Sequence, residues 1–293
     1  MPELPEVETV ARGLQRVLPG RRIVEVRLGK TDFIVDPAAL ETHLPGSRIA
    51  AVRRYGKFLL VDLERESGGT PAFSLLIHLG MTGQLRTCAP DTEIAPHTHV
   101  FLALDDGREL RYTDIRRFGK MQLLQNGERE TILKEFGLDP LEASEGDFRA
   151  QIGSRRARIK ALLLDQSVLR GIGNIYADES LWHARIHPMR IGANLGPEEC
   201  SRLYRAVQKI LKEAIRLRGS SISDYVDSDG LPGEFQLRHR VYQRHGKKCS
   251  RCGARICRTI VAGRSSHFCP RCQRAPRGRP SKRKKTSKVH RQR

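Results

Sequence analysis

Two groups of residues have types and spacings that can do chemistry. The first opens the chain, Met1-Pro2-Glu3-Leu4-Pro5-Glu6-Val7-Glu8. A proline behind an initiator methionine is small enough for the methionine to be trimmed, which would leave Pro2 as a terminal secondary amine. Such an amine can attack an electrophilic carbon and form an iminium, cationic without needing a proton, so covalent amine catalysis is possible without a lysine. A free α-amino group titrates near ~8, which leaves a usable neutral fraction at physiological pH. Glu3 and Glu6 can carry protons, although their charge also favours the ammonium form. On these eight residues alone, an ordinary helix start with acidic residues in its first turn fits at least as well.

The second group is Cys249-x2-Cys252 and Cys269-x2-Cys272, whose inner cysteines are separated by sixteen residues. That is the spacing of a four-thiolate zinc site. One Zn2+ would be structural, because four thiolates fill every position and leave none for water or substrate. In so short a segment, metal is the natural stabiliser. Disulfides are the alternative, and they fit poorly with a reducing compartment. Cys257 breaks the rhythm, Cys88 lies outside it, and Cys200 falls on an apolar helix face, so none of the three is a ligand.

The remaining composition says what these groups act on. A formal charge of +20 is the footprint of a nucleic-acid binder. Ten Lys or Arg and no acidic residue lie between 274 and 293. Pro276, Pro280 and the basic run from Lys282 to Lys285 predict a disordered tail that holds DNA non-specifically. With aromatics at 5% of residues, a grip on duplex phosphates is expected rather than a stacking platform for single strands. No apolar run reaches ~18 residues and no signal peptide is visible, so a cytoplasmic chain with no membrane partner is expected.

The elements that must position these residues follow. Val7, Val10, Leu14 and Val17 recur at helical spacing until Pro19-Gly20, which puts the front octet at a helix N-terminus. Strands are predicted at Ile23–Leu28, Phe58–Val61, Phe73–Leu79, Val100–Leu104, Glu109–Tyr112 and Met121–Leu124, with a turn at Asp105-Asp106-Gly107. Short strands at this spacing suggest a β-sandwich or flattened barrel. Arg53, Arg54 and Lys57 bracket a glycine in RRYGK and read first as a solvated edge. The polar stretch from Glu135 to Asp147, interrupted by glycine and proline, reads as a hinge. Beyond it the period is helical: Ile159, Leu162 and Leu163 behind Arg155, Arg156, Arg158 and Lys160, then Cys200 to Leu217 ending at Gly219. Between these, Gly171-Ile172-Gly173-Asn174 could expose N–H groups to an anion such as phosphate, or make a tight helix–helix turn. Ser220 to Gly233 reads as too polar to pack, either a disordered connector or a moving loop.

PELPEVE followed by TVARGL, IKALLLDQ before GIGNIYADE, and the paired cysteines together resemble the formamidopyrimidine-DNA glycosylases, from Pro2 to about Arg274. The resemblance implies an α+β multi-domain fold. Residues 1–136 would form a catalytic β-sandwich with a leading helix. Residues 137–233 would form a helix-two-turn-helix domain with a lesion-capping loop at 219–233, and residues 234–274 a β-hairpin zinc finger, followed by the basic tail 275–293. It implies a bifunctional repair enzyme that removes oxidised purines from double-stranded damaged DNA and nicks the strand by β,δ-elimination. One cleft between two lobes needs only a monomer.

Roles come with the same resemblance. Pro2 is the nucleophile, Glu3 the acid/base, and Glu6 a support for ring opening or hydration. Lys57 contacts phosphate and donates a proton in β-elimination; Arg264 holds the flanking phosphates and serves δ-elimination. Met81, Arg116 and Phe118 fill the hole left by an everted base, with Arg116 on the orphaned cytosine. His78, His97, Arg117, Arg155, Lys160, Asn174 and Tyr242 are further DNA contacts, Lys160 and Asn174 on phosphates. The segment reads DIRRFG, where the family more often has proline in place of Ile115, which loosens the expected loop geometry. The rivals are an endonuclease VIII-like glycosylase for oxidised pyrimidines and a non-catalytic zinc-finger DNA-binding protein.

Overall fold

A computed structural model describes residues 1–65, 73–125 and 127–275. Helix α1 (Leu4–Val17) precedes β1 (Ile23–Leu28), α2 (Pro37–His43), β2 (Arg48–Tyr55), β3 (Phe58–Glu64), β4 (Phe73–His78), β5 (Gln84–Cys88), β6 (Thr98–Leu104), β7 (Glu109–Thr113) and β8 (Lys120–Gln125). Then come α3 (Glu128–Lys134), α4 (Glu145–Gly153), α5 (Ile159–Leu164), α6 (Asn174–Ala184), α7 (Pro197–Arg216), β9 (Cys257–Val261) and β10 (Arg264–Phe268).

Strands β1 to β8 make two antiparallel sheets, ordered β1-β6-β7-β5 and β2-β3-β4-β8. Their inner faces form one core, and α1 adds Val7, Val10 and Leu14 to it. The expected sandwich is present, with two strands (β2 and β5) and two helices (α2 and α3) beyond those predicted. β2 carries no clear strand pattern in sequence because its inward residues, Ile49 and Val52, are spaced by a bulge and flanked by arginines. Arg53 does stand at a solvated edge, with its side chain 53% exposed, but Arg54 does not. The Arg54 side chain is 5% exposed and bonds Glu8 at 2.7 Å and Asp139 at 2.8 Å, tying the sandwich to the next lobe.

Helices α4 to α7 share a second core that includes Leu4 from the chain's front. A third, smaller cluster forms where the β9–β10 hairpin docks on α6 through Trp182, with Arg251 stacked 3.9 Å from its ring centroid. The 219–233 segment is not too polar to pack. Tyr225, Asp227 and Ser228 are buried, and Gln84 Nε2 donates to the Asp224 carbonyl across the lobes at 2.7 Å. Only Ile222, Ser223 and Asp224 stand exposed at its near end. Apart from Ala275, the basic tail lies outside the described residues. Among the described residues, no helix is long and apolar enough to cross a membrane.

Candidate active site

A cavity of about 660 Å³ opens where the sandwich, the helical lobe and the finger meet. Pro2, Glu3 and Glu6 line it from the start of α1, and Lys57 from the β2–β3 turn. Asn174 and Ile175 enter from α6, Ile222 and Tyr225 from the 219–233 loop, Tyr242 from the following stretch, and Arg264 from the finger hairpin. Residues more than 260 positions apart in sequence are thereby brought to one space.

Glu3 is buried, and its carboxylate accepts N–H bonds from Gly173 at 2.9 Å and Ile175 at 3.0 Å, with Tyr176 at 3.4 Å. These are the free donors at the start of α6, and a carboxylate there is favoured by the helix dipole. Within the Gly171–Asn174 segment the Gly173 N–H thus does bind an anion, the Glu3 carboxylate. A Cβ on Gly173 would overlap Glu3 Cδ. Burial raises the pKa of Glu3, against the pull of Lys57 and the backbone donors.

Glu6 reaches further. Its Oε2 accepts from the Glu3 N–H at 2.8 Å, and its Oε1 from the Tyr176 hydroxyl at 2.5 Å and the Ser220 N–H at 2.7 Å. One carboxyl thus links the chain's front, α6 and the loop. Burial first, and the charge of Glu3 second, push its pKa up to about 7. The Lys57 ammonium is pushed down, mainly by burial and further by Arg264, while Glu3 opposes the shift. An acid poised to hold a proton and an amine poised to lose one suit proton transfer.

Tyr242 is fixed from behind. Glu179 accepts the N–H groups of Arg240, Val241 and Tyr242, and burial raises its pKa to about 7. Asn174 is the first residue of α6; it lines the cavity with Oδ1 buried and without a hydrogen-bond partner among the described residues. Lys160, expected on a phosphate, offers no exposed surface in this structure. Its side chain is fully buried, and Nζ donates to Asp178 Oδ1 at 2.5 Å and to the Ser265 carbonyl at 2.9 Å. Asp178 Oδ2 accepts the His267 N–H at 2.9 Å. This buried pair docks the strand that begins with Arg264.

On the rim, Met81 is 38% and Phe118 56% exposed, with the Arg116 guanidinium 4.5 Å from the Phe118 ring centroid. Met81 also lines the cavity, which places this exposed apolar side chain beside the proposed chemistry. Arg117 bonds Asp32 at 3.0 Å, and exposed His97 takes a left-handed φ of 64°. Arg155 sits past the end of α4 with Nη1 on the Gln151 carbonyl. His78 is no cation: burial, then Lys57, lower its pKa to about 4, and its Nδ1 accepts from the Gly80 N–H at 3.1 Å. Tyr176, Asp178, Glu179 and Ser220 were not singled out from sequence. The acidic pair inside an otherwise buried helix, YADESLW, was the available signal for two of them.

The Sγ atoms of Cys249, Cys252, Cys269 and Cys272 all lie within 4.8 Å of one another. Tetrahedral Zn–S bonds of ~2.3 Å require sulfur separations of roughly 3.8 Å. The four thiols are unpaired by disulfides, and the cluster fits one structural zinc. Cys257, on β9, stands outside it.

Three family models match: the formamidopyrimidine-DNA glycosylase N-terminal domain over residues 1–121, its H2TH domain over 136–226, and the zinc finger found in FPG and IleRS over 246–275. Formamidopyrimidine-DNA glycosylase of Heliobacterium modesticaldum is 46% identical over 286 residues, covering 94% of this chain and 100% of the relative. That of Pelotomaculum thermopropionicum is 42% identical over 280 residues, covering 94% and 99%. Among solved structures, a Lactococcus lactis FPG variant with Fapy-dG-containing DNA superposes with TM-score 0.84 at 35% identity, covering 94% of this chain and 100% of that one. MutM (FPG) from Thermus thermophilus gives 0.80 at 43%, covering 93% and 98%. With similarity on this scale running through the sandwich, the helical lobe and the finger, the chain belongs to the formamidopyrimidine-DNA glycosylase family.

Proposed function

We propose that this chain excises oxidised purines, 8-oxoguanine and formamidopyrimidines, from duplex DNA in the cytoplasm and then cleaves the abasic site. The observation that carries this reading is that Pro2, Glu3, Glu6, Lys57 and Arg264 line one cavity large enough for an everted nucleotide. Lactococcus lactis Fpg has been solved with Fapy-dG DNA and with abasic-site DNA, which supports both halves of the proposal.

Met1 acylates the Pro2 nitrogen and also lines the cavity, so the reactive chain is the one that begins at Pro2. Its nitrogen bonds to C1′ of the everted nucleotide. The electrons of the C1′–N9 bond leave with the base, which takes up a proton from solvent water. The proton released by the new ammonium passes to Glu3, which returns it to O4′ as the sugar ring opens to the iminium. The iminium acidifies C2′–H. Loss of that proton breaks the C3′–O bond, with the Lys57 ammonium donating to the departing phosphate oxygen. A second proton loss, at C4′, breaks the C5′–O bond while Arg264 holds the phosphate. Water then frees Pro2. The protein supplies these groups itself, and the zinc holds the finger that carries Arg264 (Cys249, Cys252, Cys269 and Cys272 being its ligands).

Lactococcus lactis Fpg has also been solved with DNA containing an oxidised pyrimidine, so the endonuclease VIII-like reading is tested beside the first. Protein beginning at Pro2 is incubated with duplexes bearing 8-oxoguanine or an oxidised pyrimidine, and the freed base is identified by mass spectrometry. Release of 8-oxoguanine at the greater rate is expected. Preferential release of the pyrimidine supports the sister activity, and release of neither leaves a DNA-binding protein.

A further inference from the structure

The two rim segments that carry the exposed wedge residues are joined underneath by one carboxylate. Asp114, at the end of β7, is fully buried. Its Oδ1 accepts from the Thr82 hydroxyl at 2.5 Å and the Arg116 N–H at 3.3 Å, and its Oδ2 from the Gly119 N–H at 2.9 Å and the Tyr112 hydroxyl at 3.2 Å. Its own N–H donates to the His97 carbonyl at 3.0 Å. Thr82, itself buried, also accepts from the Arg116 N–H at 3.2 Å. So the loop bearing Met81, the loop bearing Arg116 and Phe118, and the loop bearing His97 meet at one residue.

Burying a carboxylate is costly unless its donors are in place, and here all four are uncharged groups. Three of them belong to Asp114's own strand and loop, and the fourth, the Thr82 hydroxyl, is in place only when the Met81 and Arg116 loops hold their positions relative to each other. The contact is close as well as polar: a Cβ on Gly80 would overlap the Phe118 backbone, and Gly80 has a φ of +62°. Loosening one loop leaves a buried acceptor unmatched in the other, so the two behave as a unit.

We infer that Asp114, acting with Thr82, is a positioning residue that makes the Met81 loop and the Arg116–Phe118 loop a single rigid wedge, so that the offset between the side chain filling the stack and the guanidinium meeting the orphaned base is fixed. This rests on the proposed wedge role of Met81 and Arg116. A wedge ordered before it meets DNA loses less entropy on insertion. A fixed offset also selects the opposite base, since a guanidinium held in place pairs with the acceptors of cytosine and meets a donor on adenine.

The test uses the full chain, zinc-loaded and beginning at Pro2, with Thr82→Val (which removes only the hydroxyl), Thr82→Ser (which keeps it) and Asp114→Asn. Wedge insertion is followed without chemistry, by stopped-flow fluorescence of 2-aminopurine opposite a tetrahydrofuran abasic analogue. Excision of 8-oxoguanine opposite cytosine or adenine, and cleavage of a preformed abasic site, are timed separately. Thr82→Val is expected to slow insertion and excision roughly tenfold, the factor that one lost buried hydrogen bond supplies. It should also narrow the cytosine-over-adenine preference and leave abasic-site cleavage within about twofold. Thr82→Ser should restore wild-type behaviour, and Asp114→Asn should exceed the Thr82→Val defect. Wild-type insertion in Thr82→Val, or an equal loss on all substrates, overturns the inference. If the wild type excises nothing but its insertion is still slowed by Thr82→Val, the wedge stands and the proposed activity falls.

Discussion

The carboxylate of Glu3 caps a helix that begins beyond Gly173, whose N–H it accepts at 2.9 Å across a sequence separation of 170 residues. The bond crosses from the sandwich lobe to the helical lobe, so the residue next to the proposed nucleophile is also a joint of the fold. Any closing or opening of the lobes therefore moves the acid/base with respect to α6. The Leu4 N–H donates to the Gly171 carbonyl at 2.9 Å, which makes the joint two-stranded.

Gly173→Ala is expected to drive Glu3 out of this position, because the added methyl overlaps its carboxyl group. Overpacking of this kind costs ~1–3 kcal/mol, and excision should fall more than duplex affinity does. Calorimetric melting and single-turnover excision check it. Unchanged melting together with unchanged excision would mean that the Glu3 contact is dispensable.

Glu6 gives a pH dependence of stated sign. Its pKa rises on folding from 4.5 to about 7, chiefly through burial. The folded state therefore binds the extra proton, and the associated stability is full below pH ~4.5 and lost as pH rises through ~7. A shift of that size corresponds to at most about 3 kcal/mol. Glu179 moves in the same direction to about 7, so the informative quantity is a difference. Urea unfolding at pH 5 and pH 8 should show a smaller loss of stability in Glu6→Gln than in the wild type. Parallel losses would place the titration elsewhere.

Lys160→Met separates a buried joint from a DNA contact. Leaving Asp178 without its cation is expected to cost ~3–5 kcal/mol. The salt slope of duplex binding should hold, whereas losing a phosphate contact would lower it by ~0.9. Adding Asp178→Asn should restore part of the stability. A reduced slope with unchanged stability would return Lys160 to the DNA surface.

What could be read from sequence was what short stretches carry whole. The front octet and the Cys249/Cys252 and Cys269/Cys272 pairs hold their chemistry within a few residues, and the short, closely spaced apolar runs of β3, β4, β6 and β7 suggest a sandwich. What could not be read was pairing across the chain. The GIGN segment advertised free N–H groups, but nothing local says that Glu3 would occupy them. Arg54 and Lys160 look like surface cations by type. Both are buried because a carboxylate from a distant element, Asp139 or Asp178, meets them. The Ser220–Gly233 stretch is polar by composition, yet Tyr225 anchors it in the sandwich core with its hydroxyl on the Glu6 carbonyl at 3.2 Å.

Cys252→Ser should lose the zinc and with it the placement of Arg264. Metal released on thiol modification should be one ion per wild-type chain and well below that in the variant. Duplex affinity is expected to drop while the β-sandwich, whose core contains no finger residue, keeps its strand circular-dichroism signal. Full affinity without metal would detach the finger from DNA binding.

The most direct measurement is borohydride reduction of the protein on a labelled duplex containing 8-oxoguanine opposite cytosine, with the adduct located by mass spectrometry. Chain beginning at Pro2 should become covalently attached to the strand through the Pro2 nitrogen, and chain retaining Met1, or carrying Pro2→Gly, should show far less attachment. Attachment at Lys57 instead, or rapid excision and strand cleavage by protein that still carries Met1, would contradict the assignment of the terminal amine as nucleophile.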